Sequence, residues 1–201
     1  MKSYPSIDAT PKTDISIYAF DKIDGSNIRA EWNKKNGFWK FGTRSRLLDA
    51  SEKPFGEAIS LLKGKYEDDL SRIFVEEKWK KVIAFFEFYG PNSCFGTHAD
   101  EPHDVTLIDV NPYNKGILPP REYIDLFGSL DGPAVLYQGI VNQDFIDSVK
   151  NSALDGMTFE GVVCKGVKSN QTVMFKVKSQ AWLSKLRSYC KDNEQMFNKM
   201  K

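Results

Sequence analysis

The stretch EGVVCKGVKSNQTVMFKVK, residues 160–178, reads as a β-hairpin and decides the fold class. Gly161–Val167 and Thr172–Lys178 are rich in β-branched and apolar residues and flank the turn pair Ser169-Asn170. Alternation of period two sends Val173, Phe175 and Val177 to one face and Met174, Lys176 and Lys178 to the other. The pattern recurs along the chain. Asn27–Trp32 and Phe38–Thr43 form a second hairpin through Asn36-Gly37, residue types that tolerate positive φ. Ile15–Phe20, Val82–Tyr89, Val105–Val110 and Ala134–Gly139 read as further strands.

Helices punctuate these strands. Phe55, Ala58, Ile59, Leu62 and Tyr66 recur at helical spacing, with Pro54 in the first turn. Leu70, Ile73 and Phe74 continue them past an expected break near Gly64. Pro119-Pro120 opens a short helix through Phe127, and Asn142 caps one carrying Phe145, Ile146 and Val149. Trp182, Leu183, Leu186, Tyr189 and Cys190 make the last helix amphipathic. Strands outnumber helices, and neighbours are hairpin-like rather than βαβ. The expected class is α+β with largely antiparallel sheets, in one domain over residues 1–201.

Composition narrows the function classes. At 41% hydrophobic and 27% charged, the 201 residues suit a globular chain and exclude a disordered one. The longest apolar run, Val82–Phe86, falls far short of the roughly 20 residues that span a bilayer. Met1–Lys12 has no apolar core and does not read as a secretory signal. Cys94, Cys164 and Cys190 are scattered and form no CxxC pair, which argues against a disulfide framework and for the cytoplasm. Phosphate loops of the GxGxxG or GxxxxGK[ST] kind are absent. From Lys165 onward the chain has nine Lys/Arg and two Asp/Glu, a net +7; the preceding residues have 19 and 25, a net −6. Such a basic stretch meets phosphate or is simply a solvated face.

Several residues have the makings of a site. Lys22 stands just past an apolar strand, before Asp24-Gly25. A lysine becomes a nucleophile only when burial or neighbouring cations lower its pKa, and a glycine lets backbone approach a ligand closely. A surface β-turn would look the same. Lys176 and Lys178 side by side repel each other, which a phosphate would relieve and which solvent would also relieve. Glu87 among aromatics and Glu160 before Gly161 either suit a metal-bound polyphosphate or face water. Arg44 can fork onto phosphate or ribose. His98 and His103, five apart in a Gly/Pro/Asp-rich loop, read as loop residues.

The order of these segments is more specific than any one of them. KIDG at Lys22, TRSR at Arg44, EFYG at Glu87, EGVVCK at Glu160 and FKVK ending at Lys178 resemble motifs I, Ia, III, IV and V of the covalent nucleotidyltransferase superfamily. That superfamily comprises ATP-dependent ligases and messenger-RNA capping enzymes. The resemblance runs from about residue 15 to residue 180. Asn27, where DNA ligases and capping enzymes usually have arginine, makes the chain look like a phage or bacterial RNA ligase of the T4 RNA ligase 2-like branch. EFYGPNS (87–93) and LPPRE (118–122) also resemble small RNA-ligase-domain proteins.

The resemblance implies two mostly antiparallel sheets with flanking helices and a nucleotide cleft between them. It implies ATP and Mg²⁺ as cofactors, and RNA with 5′-phosphate and 3′-hydroxyl ends as partner. Lys22 would attack the α-phosphorus to give lysyl-AMP. Lys176 and Lys178 would contact the α-phosphate, Lys176 also lowering the Lys22 pKa. Glu87 would bind ribose hydroxyls, Arg44 ribose or phosphate, Asp21 adenine through its backbone, and Glu160 the magnesium. Asn27 would act mainly in sealing. Two departures stand out. The segment that often carries a purine-stacking aromatic reads Leu107-Ile108-Asp109-Val110, leaving Ile108 to pack on adenine. Only 23 residues follow Lys178, so no C-terminal OB-fold or helical domain is expected. Substrate grip would then fall to Lys185 and Arg187 or to a protein partner. The alternatives are a DNA ligase core, a guanylyltransferase, or an inactive nucleotide-binding interaction module. No membrane is implied, and the expected setting is the cytoplasm, that of the host cell if the chain is phage-encoded.

Overall fold

The structure is a computed structural model that describes residues 1–91, 93, 97–191 and 193–201. Cys94, and Asn92 within the segment 87–93, lie outside the described residues. The chain forms two compact units: Met1–Pro5 with Gly25–Gly132, and Ser6–Asp24 with Pro133–Lys201.

The first unit holds β2 (Ser26–Asn33), β3 (Gly37–Thr43), β4 (Lys81–Tyr89) and β5 (Asp104–Pro112), with α1 (Glu57–Glu76) and α2 (Pro120–Phe127). Its sheet runs β3-β2-β4-β5, and every pairing is antiparallel. Alternation puts Ile28, Ala30, Trp32, Ala84 and Phe86 on the face that α1 covers with Leu62, Tyr66, Leu70 and Phe74. Tyr66 meets Phe86 at 5.3 Å and Phe74 meets Trp32 at 5.2 Å between ring centroids. Each such buried ring contributes about 1.5–3 kcal/mol. Two helix expectations need correction. α1 runs unbroken through Gly64, because a side chain there would meet nothing and the buried residues on either side carry the helix past it. Pro54 lies before the helix, whose N-cap is Gly56.

The second unit holds β1 (Ser16–Asp21), β6 (Val135–Ile140), β7 (Gly161–Lys168) and β8 (Gln171–Lys178), with α3 (Gln143–Lys150), α4 (Gln180–Cys190) and α5 (Glu194–Met200). The sheet order is β6-β1-β7-β8, again all antiparallel. Ile17, Ala19, Val162, Cys164, Phe175 and Val177 pack against Phe145, Ile146 and Val149 of α3. Ser169 and Asn170 turn the hairpin with φ of 51° and 59°, as a tight right-twisted hairpin requires. The Asn142 side chain accepts from the Phe145 N–H as the helix cap. α4 is not the last helix: α5 follows it and buries Phe197. The fold is α+β, with two four-stranded antiparallel sheets and flanking helices, in line with the sequence reading.

Candidate active site

Four candidate residues converge at one end of the second sheet. Lys22 leaves the end of β1 with its N–H donated to the Gly161 carbonyl at 2.9 Å. Across β7, Gly161 pairs with Lys178 at the end of β8. Glu160 therefore stands between two strand ends, each delivering a lysine. Lys22 Nζ lies 2.9 Å from Glu160 Oε2, and Lys178 Nζ lies 2.8 Å from Oε1. Lys176, two residues back along β8, is close enough for its charge to bear on Lys178. Its own N–H is tied to the Asp8 carbonyl.

Local backbone chemistry holds this arrangement. Gly161 has φ of +132°, and a Cβ there would lie 2.2 Å from the Val177 carbonyl oxygen, so only glycine fits. Ser179 donates through Oγ to the Phe159 carbonyl, accepts from the Trp182 N–H as the cap of α4, and gives its own N–H to the Glu160 carbonyl. Strand, carboxylate and helix are thus locked to one another. The Lys178 ammonium also sits 3.3 Å from the centroid of the Trp182 ring.

The electrostatics are those of a lysine pair sharing one carboxylate. The side chains of Glu160 and Lys178 are 4% and 8% exposed, and that of Lys22 is 21% exposed. Burial pushes the Lys178 pKa down; the charges of Lys22 and Lys176 push it further, Glu160 resists, and it comes to about 8. Burial alone would raise the Glu160 carboxyl, but Lys22 and Lys178 outweigh it and hold it below its ordinary 4.5. The unfolded chain therefore protonates this carboxylate more readily than the folded one. Stability drawn from Glu160 is complete above about pH 4.5 and is lost as pH falls through the lower folded value. Lys178 has the same sign in a higher window: between about pH 8 and 10.5 the unfolded chain binds more protons, so stability again grows as pH rises. Glu160→Gln should lose thermal midpoint less steeply than wild type on acidification below pH 4.5. Parallel melting curves for the two would contradict the assignment.

Asp21 presents its carboxylate inward, where Thr158 donates to Oδ1 through its N–H at 3.0 Å and its hydroxyl at 3.1 Å. Its backbone N–H is committed to the Ala134 carbonyl. Lys185 and Arg187 lie on α4. Lys185 sits over the Phe159 ring, while Arg187 bonds Glu194 of α5 at 2.6 Å and covers the Phe197 ring.

The remaining candidates belong to the first unit. Asn27 on β2 is directly opposite Glu87 on β4, so the two side chains share the sheet face that α1 does not cover. Asn27 Oδ1 is buried with no hydrogen-bond partner among the described residues, an acceptor awaiting a donor. Arg44 follows β3 and is exposed. Ile108 is the extra residue of a β-bulge: β5 pairs Leu107 with Phe86 and Asp109 with Phe85, skipping it. Bulges re-aim side chains. Gly25 owes its identity to packing as well, since a Cβ there would lie 2.5 Å from the Phe88 carbonyl oxygen.

The same face carries a segment that sequence reasoning missed. Met1–Pro5 crosses it. Arg29 Nη1 donates to the Met1 carbonyl at 3.1 Å and to Ser3 Oγ at 2.7 Å. The Tyr4 ring lies 5.0 Å from Phe85, and its hydroxyl donates to Asp109. Burial first, then the charges of Asp109 and Glu87, hold the Tyr4 hydroxyl well above the ordinary tyrosine value, so it stays a donor. The segment has no periodicity of its own, and only the pairing of β2, β4 and β5 creates the surface it covers.

Among the described residues, no group of three or more His, Cys, Asp or Glu side chains could hold a metal ion. Both oxygens of Glu160 are taken up by ammonium groups, Oε2 by Lys22 and Oε1 by Lys178. No helix among the described residues is long and apolar enough to cross a membrane.

No family model and no curated protein matches the sequence. The fold has solved counterparts. An RNA ligase of Naegleria gruberi, as a mutant with AMP and Mn, matches with a TM-score of 0.65 at 16% identity, over 86% of this chain and 52% of that one. The same ligase with pyrophosphate matches with 0.65 at 16%, over 88% and 53%. An apo mutant matches with 0.66 at 15%, over 92% and 59%. The chain shares the fold of solved RNA ligases. It spans little more than half the length of those it matches, and at such identity the likeness is one of fold.

Proposed function

We propose that the chain is an ATP-dependent RNA ligase of the T4 RNA ligase 2-like branch, of phage or bacterial type, acting as a single nucleotidyltransferase domain. The observation that carries this reading is the cluster of Lys22, Glu160 and Lys178, in which a partly accessible lysine and a buried one share one carboxylate. The RNA ligase structures of the same fold, solved with ATP, AMP, Mn or pyrophosphate, support it.

In this reading the deprotonated Lys22 Nζ attacks the α-phosphorus of ATP. The N–P bond forms as the bond to the bridging oxygen breaks, and pyrophosphate leaves. Lys176 and Lys178 hold the α-phosphate oxygens, Glu160 exchanging Lys178 for a role beside the metal. Magnesium, when bound, neutralises charge on the phosphates. Glu87, with Asn27 beside it, accepts from the ribose hydroxyls. Arg44 contacts ribose or phosphate, Ile108 packs on the base and Asp21 offers backbone to it. A 5′-phosphate oxygen of RNA then takes the AMP from Lys22, with Asn27 aiding this stage. The 3′-hydroxyl attacks the activated 5′-phosphorus and AMP leaves. Lys185 and Arg187 touch the RNA backbone, Arg187 trading Glu194 for phosphate, and a protein partner can supply further grip. The setting is the cytoplasm, the host's if the chain is phage-encoded.

Incubation with labelled ATP, then with labelled GTP, tests the reading. Covalent label from ATP and Mg²⁺ but not from GTP is the expected result. Label from GTP alone would make the chain a guanylyltransferase, and no label from either would leave a binding module.

A further inference from the structure

The β2–β3 hairpin bears a surface that the nucleotide chemistry leaves unused. The pairing runs Glu31 to Lys40 and then Trp32 to Phe38, so Trp39 is the extra residue of a bulge on an edge strand. Trp39 is 47% exposed, whereas Trp32, Trp79 and Trp182 are buried. Lys34 and Lys35 stand exposed in the adjoining turn, and Lys40 Nζ lies 5.7 Å from the Trp39 ring centroid. After β3 the chain doubles back, Leu48 donating to the Phe41 carbonyl and Leu47 pairing with Gly42. The return covers Phe41 and Gly42, and Glu67 of α1 accepts from the Phe38 N–H at 3.1 Å, which leaves Trp39 and Lys40 at the exposed part of the edge.

Lysines and a bulge at an open edge discourage pairing with other strands, which accounts for Lys40 and the bulge. It does not account for an indole turned to water at the same place, since exposed apolar surface there invites association. An exposed aromatic ring with one ammonium 5.7 Å from its centroid and two more lysines in the adjoining turn has the composition of a platform for single-stranded nucleic acid. A base stacks on the ring while lysines hold the flanking phosphates. The charge favours a polyanion over a protein partner. We propose that Trp39, with Lys34, Lys35 and Lys40, is a contact site for a single-stranded segment of the RNA substrate. The inference rests on the ligase reading for its substrate and adds to it a site of grip apart from the lysine cluster.

The test is fluorescence anisotropy with the full chain and a labelled, 5′-phosphorylated single-stranded oligoribonucleotide, alongside lysyl-AMP formation. Trp39→Ala should weaken binding about tenfold or more, and Trp39→Phe, which keeps a ring, much less. Alanine at Lys34, Lys35 and Lys40 together should reduce the slope of log affinity against log salt by about 2. Lysyl-AMP formation should be unchanged in all three variants. Binding and salt slope unaltered in Trp39→Ala and in the triple variant would overturn the site. So would a wild-type chain that takes AMP from ATP yet does not hold the oligonucleotide, and the ligase reading would then stand alone. Oligonucleotide binding lost with Trp39 in a chain that takes no label would do the reverse, keeping the site and removing the ligase. Self-association lost in Trp39→Ala, without oligonucleotide binding, would make the patch an interface between copies and overturn the proposal.

Discussion

Lys22→Ala should carry no covalent nucleotide under conditions that label the wild-type chain, a loss of at least about a thousandfold. The Lys22 backbone is fixed by the bond from its N–H to the Gly161 carbonyl, and its ammonium is held at Glu160 while a fifth of the side chain still reaches solvent. Lys178 shares the carboxylate but is nearly enclosed, with its ammonium against Trp182, which suits a phosphate contact better than a nucleophile. Lys22→Arg should fail as well, because a guanidinium stays protonated and has no lone pair to offer. Intact mass after incubation with ATP and Mg²⁺, followed by peptide mapping, gives the answer. An AMP adduct retained in Lys22→Ala, or mapped to Lys178, would refute the assignment.

Glu160→Ala should abolish adenylation and also destabilise the fold, by about 3 kcal/mol at neutral pH. Sequence alone leaves Glu160 either suited to a metal-bound polyphosphate or facing water. Burial changes that expectation. Removing the carboxylate leaves Lys178 enclosed beside Lys22 and Lys176 with no counter-charge, and breaking such a buried pair costs about 3–5 kcal/mol. The lower end applies because Lys22 reaches water and because Lys178, near pKa 8 already, can shed its proton. Lys178→Ala should also block adenylation but cost less stability, since Glu160 keeps Lys22. Urea unfolding should show a lower midpoint for Glu160→Ala with an unchanged slope. A wild-type midpoint would show that the carboxylate does not stabilise the lysine pair. Near-wild-type adenylation would remove Glu160 from the chemistry.

Much of the fold is legible in the chain because its signals are local. Period-two alternation in Thr172–Lys178 and the Ser169-Asn170 turn place a hairpin with its apolar face fixed, and the structure pairs Gly161 with Lys178 accordingly. Gly64 does not break α1, because glycine's low helix propensity is a weak local cost and the burial of Leu62 and Tyr66 outweighs it. α5 went unread because seven residues carry too little periodicity.

The sequence by itself determined which chemistry-bearing residues exist and in what order, and which face of each strand they occupy. Only the tertiary structure decided what they meet. Lys22 and Glu160 are 138 residues apart and touch because β1 pairs with β7. Lys178 joins them because β8 pairs with β7 from the other side. Whether Glu160 faces water or lysine, whether Arg187 is free or held by Glu194, and whether Met1–Pro5 lies on a sheet are likewise decided by these non-local pairings. Alternation is a property of neighbouring residues along the backbone. Burial, charge pairing and pKa belong to neighbours in space, and they arise only once the sheets have closed.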